Sequence, residues 1–260
     1  MKLYVSTDME GIAGIVRQSQ LIPEEKDYRT ACQLLLGEVN AVIEGALDMG
    51  VTDILVADMH YMGFNLPLEA LHPNARYIFG VHWPRFPHIE KYDAMILLGY
   101  HAMAGTLAAV RDHTMSTTHW HDFSINGIKM GEVGFDAALA GYYGVPVIMV
   151  TGDEAVCKEA STFINGVCTV AVKEGLNRNS ALTLSPSRAR DEIRKATKEA
   201  ISKAKIIRPL IVDSPVEIAI TYNISEQADA VKVDGIHKIR LDGRTIVYRG
   251  KDVIEAMTLL

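Results

Sequence analysis

Continuous apolar runs of strand length recur along the first 150 residues of the chain. They are Leu3–Val5, Ile54–Ala57, Ala94–Leu98 and Pro146–Val150. Runs without polar alternation are typical of strands that are buried on both faces of a parallel sheet. A further short strand is predicted at Arg76–Ile78, inside a Pro- and aromatic-rich stretch, Leu66–Pro87, that is predicted to be irregular.

A long helix is predicted between the first two runs. Pro23–Glu25 suits a first helical turn, because Pro fits there and acidic side chains favour the positive end of the helix dipole. Apolar residues recur at three-to-four spacing from Tyr28 to Leu47, and Gly50 ends the pattern. Strand, helix and strand in this order predict a βαβ unit with parallel strands.

The later part of the chain predicts a different mixture of elements. Phe123–Met130 predicts a hairpin with an Asn-Gly turn, and Phe135–Tyr143 predicts a helix of small residues. From Val167 onward we predict short strands, a helix that begins at Ser185-Pro186, a strand with one polar face at Pro215–Tyr222 and a final hairpin and helix. The fold class is therefore α/β: a mostly parallel sheet with helices on both faces (α/β/α) over residues 1–165, and a smaller α+β unit over residues 166–260.

Composition narrows the class of protein. The chain has 260 residues, with 48% apolar and 22% charged residues, which is typical of a soluble globular protein. A net charge of −6 disfavours nucleic acid or an anionic membrane as partner. We expect a cytoplasmic protein, because no apolar run approaches the ~20 residues of a membrane span and no secretory signal is recognisable. Cys32, Cys157 and Cys168 are expected to be free thiols.

Metal-competent side chains follow three of the apolar runs. Asp8 and Glu10 follow the first run, and their spacing places both on one side of an extended chain. His60 follows the second run and His101 the third. Parallel strands share one carboxyl edge, where open α/β sheets bind ligands. Imidazole plus carboxylate is the ligand set of zinc or a similar first-row ion, and a cation would relieve the repulsion between two close carboxylates.

Two further acidic residues at strand ends have plainer explanations. Asp153 follows the fourth run and is better explained as a cap for the next helix than as a ligand. Asp58 precedes His60 by two positions. It is either a strand-end cap or a residue that orients the histidine from behind.

An ordered set of short motifs extends along nearly the whole chain. The motifs are Ser6-x-Asp8-x-Glu10-Gly11, Asp58-x-His60, Leu98-Gly99-Tyr100-His101-Ala102, Gly131-Glu132-x-Gly134, Gly141-Tyr142-Tyr143-x-Val145-Pro146-Val147, Ala171-Val172-Lys173 and Leu184-Ser185-Pro186. A single motif such as Asp-x-His is a weak signal, but the ordered set is specific. On these motifs the chain resembles the zinc-dependent D-aminopeptidases of the DppA family, which are self-compartmentalising metallo-aminopeptidases.

The resemblance implies a function and a ligand set. The function is removal of an N-terminal residue, a D-amino acid such as D-Ala, from short peptides or amides by a water activated between two metal ions. The implied cofactors are two divalent ions, zinc in this family. By motif position Asp8 would bridge both ions, Glu10 and His60 would complete one set of protein ligands, and His101 and Glu132 would complete the other.

The resemblance also implies a catalytic residue and an assembly. His113 matches the family's catalytic histidine, and an imidazole with an ordinary pKa near 6.5 can transfer a proton or stabilise an oxyanion. The implied assembly is a homodecameric ring whose active sites face an internal chamber that admits short peptides.

One segment departs from the family's pattern. His119-Trp120-His121-Asp122 precedes the predicted hairpin, and its two histidines have a spacing that could bind a metal. We expect instead that they line a subunit contact or the path of the substrate.

Other functions are weaker alternatives on the sequence. A two-metal amidase or phosphoesterase would use the same ligands, but no cluster of Arg or Lys follows the strand ends to hold phosphate. A nucleotide-binding turn at Gly11–Gly14 does not fit the G-x-G-x-x-G pattern. A structural metal-binding protein would be expected to close its coordination shell, whereas five protein ligands for two ions leave positions open.

Overall fold

A computed structural model describes residues 1–80, 82–83 and 85–260. Val81 and Pro84, two positions of the stretch predicted to be irregular, lie outside the described residues. In chain order the elements are β1 (Lys2–Thr7), α1 (Tyr28–Asp48), β2 (Asp53–Asp58), β3 (Arg76–Ile78), β4 (Ala94–Tyr100), β5 (Trp120–Ile125), β6 (Ile128–Lys129), α2 (Glu132–Tyr142), β7 (Val147–Asp153), α3 (Glu154–Phe163), β8 (Cys168–Asn177), β9 (Ser180–Thr183), α4 (Pro186–Lys203), β10 (Val216–Tyr222), α5 (Ser225–Asp229), β11 (Lys238–Arg240), β12 (Thr245–Gly250) and α6 (Val253–Thr258).

The first predicted strand lies in the middle of a seven-stranded sheet with the order β3-β2-β1-β4-β7-β8-β9. Neighbouring strands are parallel except β8 and β9, which are antiparallel. β4 and β7 are buried along their whole length, which explains the continuous apolar runs Ala94–Leu98 and Val147–Val150 within them. The predicted strands of the parallel sheet are confirmed, including the short one at Arg76–Ile78.

Helices cover both faces of this sheet, as predicted. α1 packs against α4, α2 packs against α3, and each pair contacts strands of the sheet. α1 buries Leu35, Val39 and Val42 on its sheet-facing side. Burial of each such side chain is worth about 1.5–3 kcal/mol, so this stripe fixes the helix on the sheet. Among the described helices, none has the combination of length and hydropathy that a membrane crossing requires.

The predicted start of α1 is wrong. Pro23–Glu25 lies in a series of turns, and the first helical residue is Tyr28, preceded by Asp27. The apolar three-to-four periodicity also begins at Tyr28. The helix therefore starts where an apolar face becomes available for packing, and the local Pro-Glu signal was misleading.

A second, antiparallel sheet has five strands in the order β11-β12-β10-β5-β6. β10 alternates buried and half-buried residues, as its sequence predicts. Asn126 and Gly127 join β5 to β6, and both have the positive φ that a tight two-residue hairpin turn requires (48° and 77°). The predicted α/β fold with an additional β-containing unit is thus confirmed.

Sheet membership crosses the predicted division at residue 165. β8 and β9 follow that position but belong to the seven-stranded sheet, whereas β5 and β6 precede it and belong to the second sheet. The division into two domains, residues 1–165 and residues 166–260, stays a prediction.

Candidate metal centre

The carboxyl ends of β1, β2 and β4 lie side by side. Thr7, the last residue of β1, pairs in register with Asp58 of β2 and with Leu98 of β4. The backbone N–H of Asp8 then donates to the Leu98 carbonyl at 2.8 Å. The metal-competent residues that follow each strand therefore leave the sheet at the same level, as expected for one shared edge.

Two glycines allow the loop after β1 to cross closely over the end of β4. Gly11 N–H donates to the Gly99 carbonyl at 2.7 Å. A Cβ on Gly11 would lie 2.0 Å from the Tyr100 carbonyl oxygen, and one on Gly99, whose φ is +75°, would lie 2.3 Å from the Asp8 carbonyl oxygen. Only glycine fits either position, which explains why glycine accompanies the acidic and histidine motifs here.

Asp8, Glu10 and His60 form the first of two buried side-chain groups. His60 Nδ1 lies 3.0 Å from Asp8 Oδ1 and 3.1 Å from Glu10 Oε2. The other ring nitrogen, Nε2, is 3.2 Å from the carbonyl oxygen of Leu21. Because a carbonyl only accepts, Nε2 carries the hydrogen of the neutral ring, and Nδ1 presents its lone pair to the two acids.

The second group consists of His101, His113 and Glu132. His101 Nε2 is 3.3 Å from Glu132 Oε1, and His113 Nε2 is 3.8 Å from the same oxygen. The two rings stack with centroids 3.9 Å apart. Their Nδ1 atoms face the carbonyls of Ala102 and Arg111 at 3.1 and 2.9 Å, so both Nε2 atoms point toward the carboxylate. Nε2 carries the lone pair when the ring is neutral and donates to Glu132 when the ring is charged.

Asp8 connects the two groups. Its Oδ1 faces His60, and its Oδ2 lies 3.4 Å from His101 Nε2. Within each group, one ligand atom per residue lies within 4.8 Å of the others. A carboxylate with one oxygen toward each of two ligand groups has the geometry of a bridge between two cations.

Buried oxygen atoms without partners indicate that a cation fits here. Asp8 Oδ2 and Glu10 Oε2 are inaccessible to solvent and have no hydrogen-bond partner in the described part of the chain. Buried carboxylate oxygens are normally paired, because an unpaired buried charge is costly. Carboxylate and imidazole donors around these atoms are a ligand set that zinc accepts.

The pKa values of these groups show how strongly the cluster attracts positive charge. Burial, together with Glu10, raises the pKa of Asp8 to about 7. Burial opposes protonation of His101, but its hydrogen bond to Glu132 outweighs this and raises the pKa of His101 to about 10. The same contact outweighs burial at Glu132 and lowers its pKa to about 2. Glu10 and Asp8 likewise outweigh burial at His60 and raise its pKa well above the ordinary range.

His113 differs from the other two histidines. Burial and the neighbouring His101 lower the pKa of His113, which keeps its ring neutral at pH 7. Its Nδ1–H is fixed on the Arg111 carbonyl, and its Nε2 is therefore an available proton acceptor at the edge of the cluster.

Asp58 caps the loop that carries His60. Its Oδ2 accepts from the backbone N–H groups of Asn65 and Leu66 at 2.6 and 3.1 Å, and its Oδ1 accepts from the Asn65 side chain at 2.6 Å. Asn65 Nδ2 also donates to the His60 carbonyl at 2.8 Å. Asp58 is thus a strand-end cap, and Asn65 connects it to the backbone of His60. A role for Asp58 in orienting His60 as a ligand stays a prediction.

Asp153 is an N-cap, as the plainer interpretation predicted. Its Oδ1 accepts from Val156 N–H at the start of α3, at 2.9 Å, and its Oδ2 accepts from Val110 N–H at 2.7 Å. Neither oxygen is left for a metal.

His119 and His121 belong to neither group. His119 Nδ1 contacts the hydroxyls of Ser116 and Thr118 at 3.0 and 2.9 Å. His121 is exposed beside Asp122 and lines a cavity of about 190 Å³ that also contains His113. Neither belongs to a group of three or more metal-competent side chains among the described residues. Their placement along the substrate path or a subunit contact stays a prediction.

The sequence interpretation did not single out a buried network behind the site. Tyr100 Oη donates to Asp136 Oδ2 at 2.7 Å, Arg85 Nη2 donates to the same oxygen at 2.8 Å, and Ser6 Oγ lies 2.7 Å from Tyr100 Oη. Asp136 is one turn after Glu132 on α2, so the network fixes this helix against β1 and β4. An Asp among the small apolar residues of α2 was the available sequence signal.

Comparisons with known proteins agree with this geometry. The sequence profile of the D-aminopeptidase family matches residues 1–260. A D-aminopeptidase of Bacillus subtilis (strain 168) is 35% identical over 260 residues, covering 98% of this chain and 94% of the relative.

A solved structure extends the similarity to three dimensions. The Zn-dependent D-aminopeptidase DppA from Bacillus subtilis, described as a self-compartmentalizing protease, superposes with a TM-score of 0.94 at 33% identity. The match covers 100% of this chain and 95% of the other. The resemblance expected from the motifs and the predicted class of metal-dependent aminopeptidase are thereby confirmed at the level of the family: the chain belongs to the D-aminopeptidase family of hydrolases.

Proposed function

We propose that this protein is an aminopeptidase that uses two divalent metal ions, zinc by relationship, to release the N-terminal residue of short peptides or amides. The observation that carries the proposal is the position of Asp8 between the two ligand groups, together with the unpartnered buried oxygens Asp8 Oδ2 and Glu10 Oε2.

Each proposed ligand has a defined role. Asp8 would contribute to both metal sites. Glu10 and His60 Nδ1 would hold one ion, and His101 Nε2 and Glu132 would hold the other. Each imidazole is held in the ligating tautomer by a backbone carbonyl on its other nitrogen, which is the usual outer-shell support of a metal-binding histidine.

His113 is proposed as the proton-transfer residue. When bound, a pair of zinc ions supplies a Lewis acid for the scissile carbonyl and lowers the pKa of water toward 7. Neutral His113 accepts a proton from the attacking water at Nε2, while the Arg111 carbonyl holds its Nδ1–H. The same Nε2–H then donates to the amide nitrogen as the C–N bond breaks, so the amine leaves neutral and the ring returns to its starting state.

The substrate is proposed to extend into the cavity beside His113. The cavity of about 190 Å³ is lined by His113, Trp120, His121 and Lys129, among others. Its volume suits one or two residues on the leaving side of the scissile bond rather than a folded chain. Preference for a D-residue is proposed from membership of the D-aminopeptidase family.

The assembly and location are also proposals. We propose a homodecameric ring in the cytoplasm. The Bacillus subtilis relative is described as self-compartmentalizing, and large apolar side chains such as Leu107 (92% exposed) and Phe64 (68%) are available for subunit contacts. The three cysteines are free and buried, which suits a reducing compartment. Light scattering should give the mass of ten chains; the mass of one or two chains would contradict the ring.

A two-metal phosphoesterase is less well supported. Lys173, the cation that lies under the Asp8–Glu10 loop, directs its three N–H groups at backbone carbonyls and has none left for phosphate. Arg85, behind Glu132, is paired with Asp136.

The direct experiment is a panel of D- and L-alanyl amides and dipeptides with p-nitrophenyl phosphate as the competing substrate. Metal-free protein is assayed alone and with zinc, manganese or cobalt. Metal-dependent release of D-alanine supports the proposal. Hydrolysis of the phosphate ester without peptide or amide cleavage, or full activity after exhaustive chelation, contradicts it.

A further inference from the structure

Lys173 of β8 is a buried lysine that hydrogen-bonds to the backbone of the metal-site loop. It is 3% exposed. Its Nζ donates to the carbonyl oxygens of Glu10, Ile12 and Ile15 at 2.5, 2.9 and 2.6 Å. An ammonium group has three N–H donors, so every donor of Lys173 is directed at the backbone of one six-residue segment, Glu10–Ile15.

The charge of Lys173 is not neutralised by an ion pair. Within the described ranges no carboxylate oxygen lies within 4 Å of its Nζ, in contrast to the paired lysines on the surface. A buried charge is tolerated only where it is well hydrogen-bonded or paired. The three carbonyls therefore have to stay in place around Nζ, and the backbone of the segment is held in one conformation.

Other parts of the chain also hydrogen-bond to the segment. Glu38 Oε1 of α1 accepts from Ala13 N–H at 2.9 Å, and Gly11 N–H donates to the Gly99 carbonyl of β4 at 2.7 Å. Gly14 N–H donates to Thr183 Oγ1 of β9 at 3.1 Å, and the Gly14 carbonyl accepts from Gln20 Nε2 at 2.8 Å. Of the five proposed ligands, only Glu10 lies within this segment. His101 directly follows β4 and Glu132 is the first residue of α2, so neither of these ligands is part of the segment.

We infer that Lys173 is a positioning residue for one of the two metal sites: through the backbone of Glu10–Ile15 it aims the Glu10 carboxylate at the ion shared with His60. This inference rests on the proposed function. It predicts a selective effect: loss of Lys173 weakens binding of the ion held by Glu10, whereas the ion held by His101 and Glu132 stays bound.

Zinc affinity of four proteins tests this claim: the parent chain, Lys173→Met, Glu10→Gln and the double variant, each titrated by competition with a chelator. Lys173→Met is expected to lower the affinity for one of the two zinc ions by about 10- to 100-fold, which is the usual effect of losing a residue that supports a metal ligand. The double variant is expected to differ from Glu10→Gln by less than about twofold in zinc affinity, because Lys173 acts through Glu10.

Lys158→Met is the matched control, because Lys158 is an exposed lysine on α3 that pairs only with Glu154. It should leave both affinities unchanged. Circular dichroism and the oligomer size establish that each variant is folded. If Lys173→Met does not fold, Lys173→Gln, which keeps two donors, replaces it with the same expected selectivity.

Several results would overturn the inference. Lys173 would have a general structural role if its loss weakened the binding of both zinc ions equally, or if it lowered zinc affinity as much in the Glu10→Gln background as in the parent. The same conclusion would follow if zinc affinity did not fall at all or if neither Lys173 variant folded. A parent chain that binds no zinc would instead reject the proposed function itself. Two zinc ions in the parent with no effect of Lys173→Met would reject this inference alone.

Discussion

Replacing Glu38 by Gln removes a buried carboxyl group from α1, directly under the metal-site loop. Glu38 is 2% exposed, its Oε1 accepts from Ala13 N–H at 2.9 Å, and its Oε2 has no hydrogen-bond partner among the described residues. Burial raises the pKa of Glu38 to about 7, although the Ala13 amide and Lys173 both oppose the rise.

The size and sign of the effect follow from this shift. Between its ordinary pKa of 4.5 and the folded-state value of about 7, the native protein keeps the proton that the unfolded chain has lost. The free energy of unfolding therefore falls by about 1.4 kcal/mol for each pH unit in this interval, about 3 kcal/mol in total. Gln keeps an acceptor for Ala13 and does not titrate, so Glu38→Gln should escape this loss.

The assay is unfolding by urea at pH 5 and pH 8, on chelator-treated protein so that metal binding does not contribute. The stability of Glu38→Gln relative to the parent is expected to rise by about 2.5 kcal/mol from the lower to the higher pH, because pH 5 already lies inside the interval in which the effect develops. Glu24→Gln, a substitution at an exposed position, should show no such change. A stability difference between Glu38→Gln and the parent that is the same at both pH values would refute the reasoning.

Two further substitutions test the site itself. His113→Ala should lower kcat by about 10²- to 10⁴-fold while both zinc ions stay bound, because it removes only the proton-transfer group; full activity would contradict that role. Gly99→Ala should lose zinc and lower the melting temperature, since its Cβ would lie 2.3 Å from the Asp8 carbonyl oxygen at a φ of +75°. Gly50→Ala has the same φ with open space around it and is the matched control; equal losses in both would show that backbone strain, not contact with the site, is responsible.

The sequence predicted the centre of the fold well for a physical reason. Buried parallel strands need continuous apolar runs, and parallel strands end at one edge, so Asp8, His60 and His101 could be placed together from strand ends alone. The order of motifs then added Glu132 and His113, whose positions depend on a hairpin and a loop without a periodic pattern.

Other contacts could not be predicted from the local sequence. Lys173 belongs to one of the motifs, but it reaches the Glu10 loop from more than 150 residues away, and a lysine that follows an apolar run is normally expected to be exposed to solvent. Likewise, β5 and β6 belong to the second sheet, whereas β8 and β9, which come later in the chain, belong to the first sheet. This arrangement depends on contacts between residues that are far apart in the sequence. The predicted start of α1 was wrong because a favourable Pro-Glu turn does not indicate where an apolar helix face begins to pack.

An anomalous difference map at the zinc edge, from crystals of the zinc-loaded protein, tests the central claim most directly. We expect two peaks per chain, both next to Asp8. One peak should lie between Asp8, Glu10 and His60, and the other between Asp8, His101 and Glu132. A map with no peak between these side chains, or with a single ion that does not touch Asp8, would contradict the two-metal account.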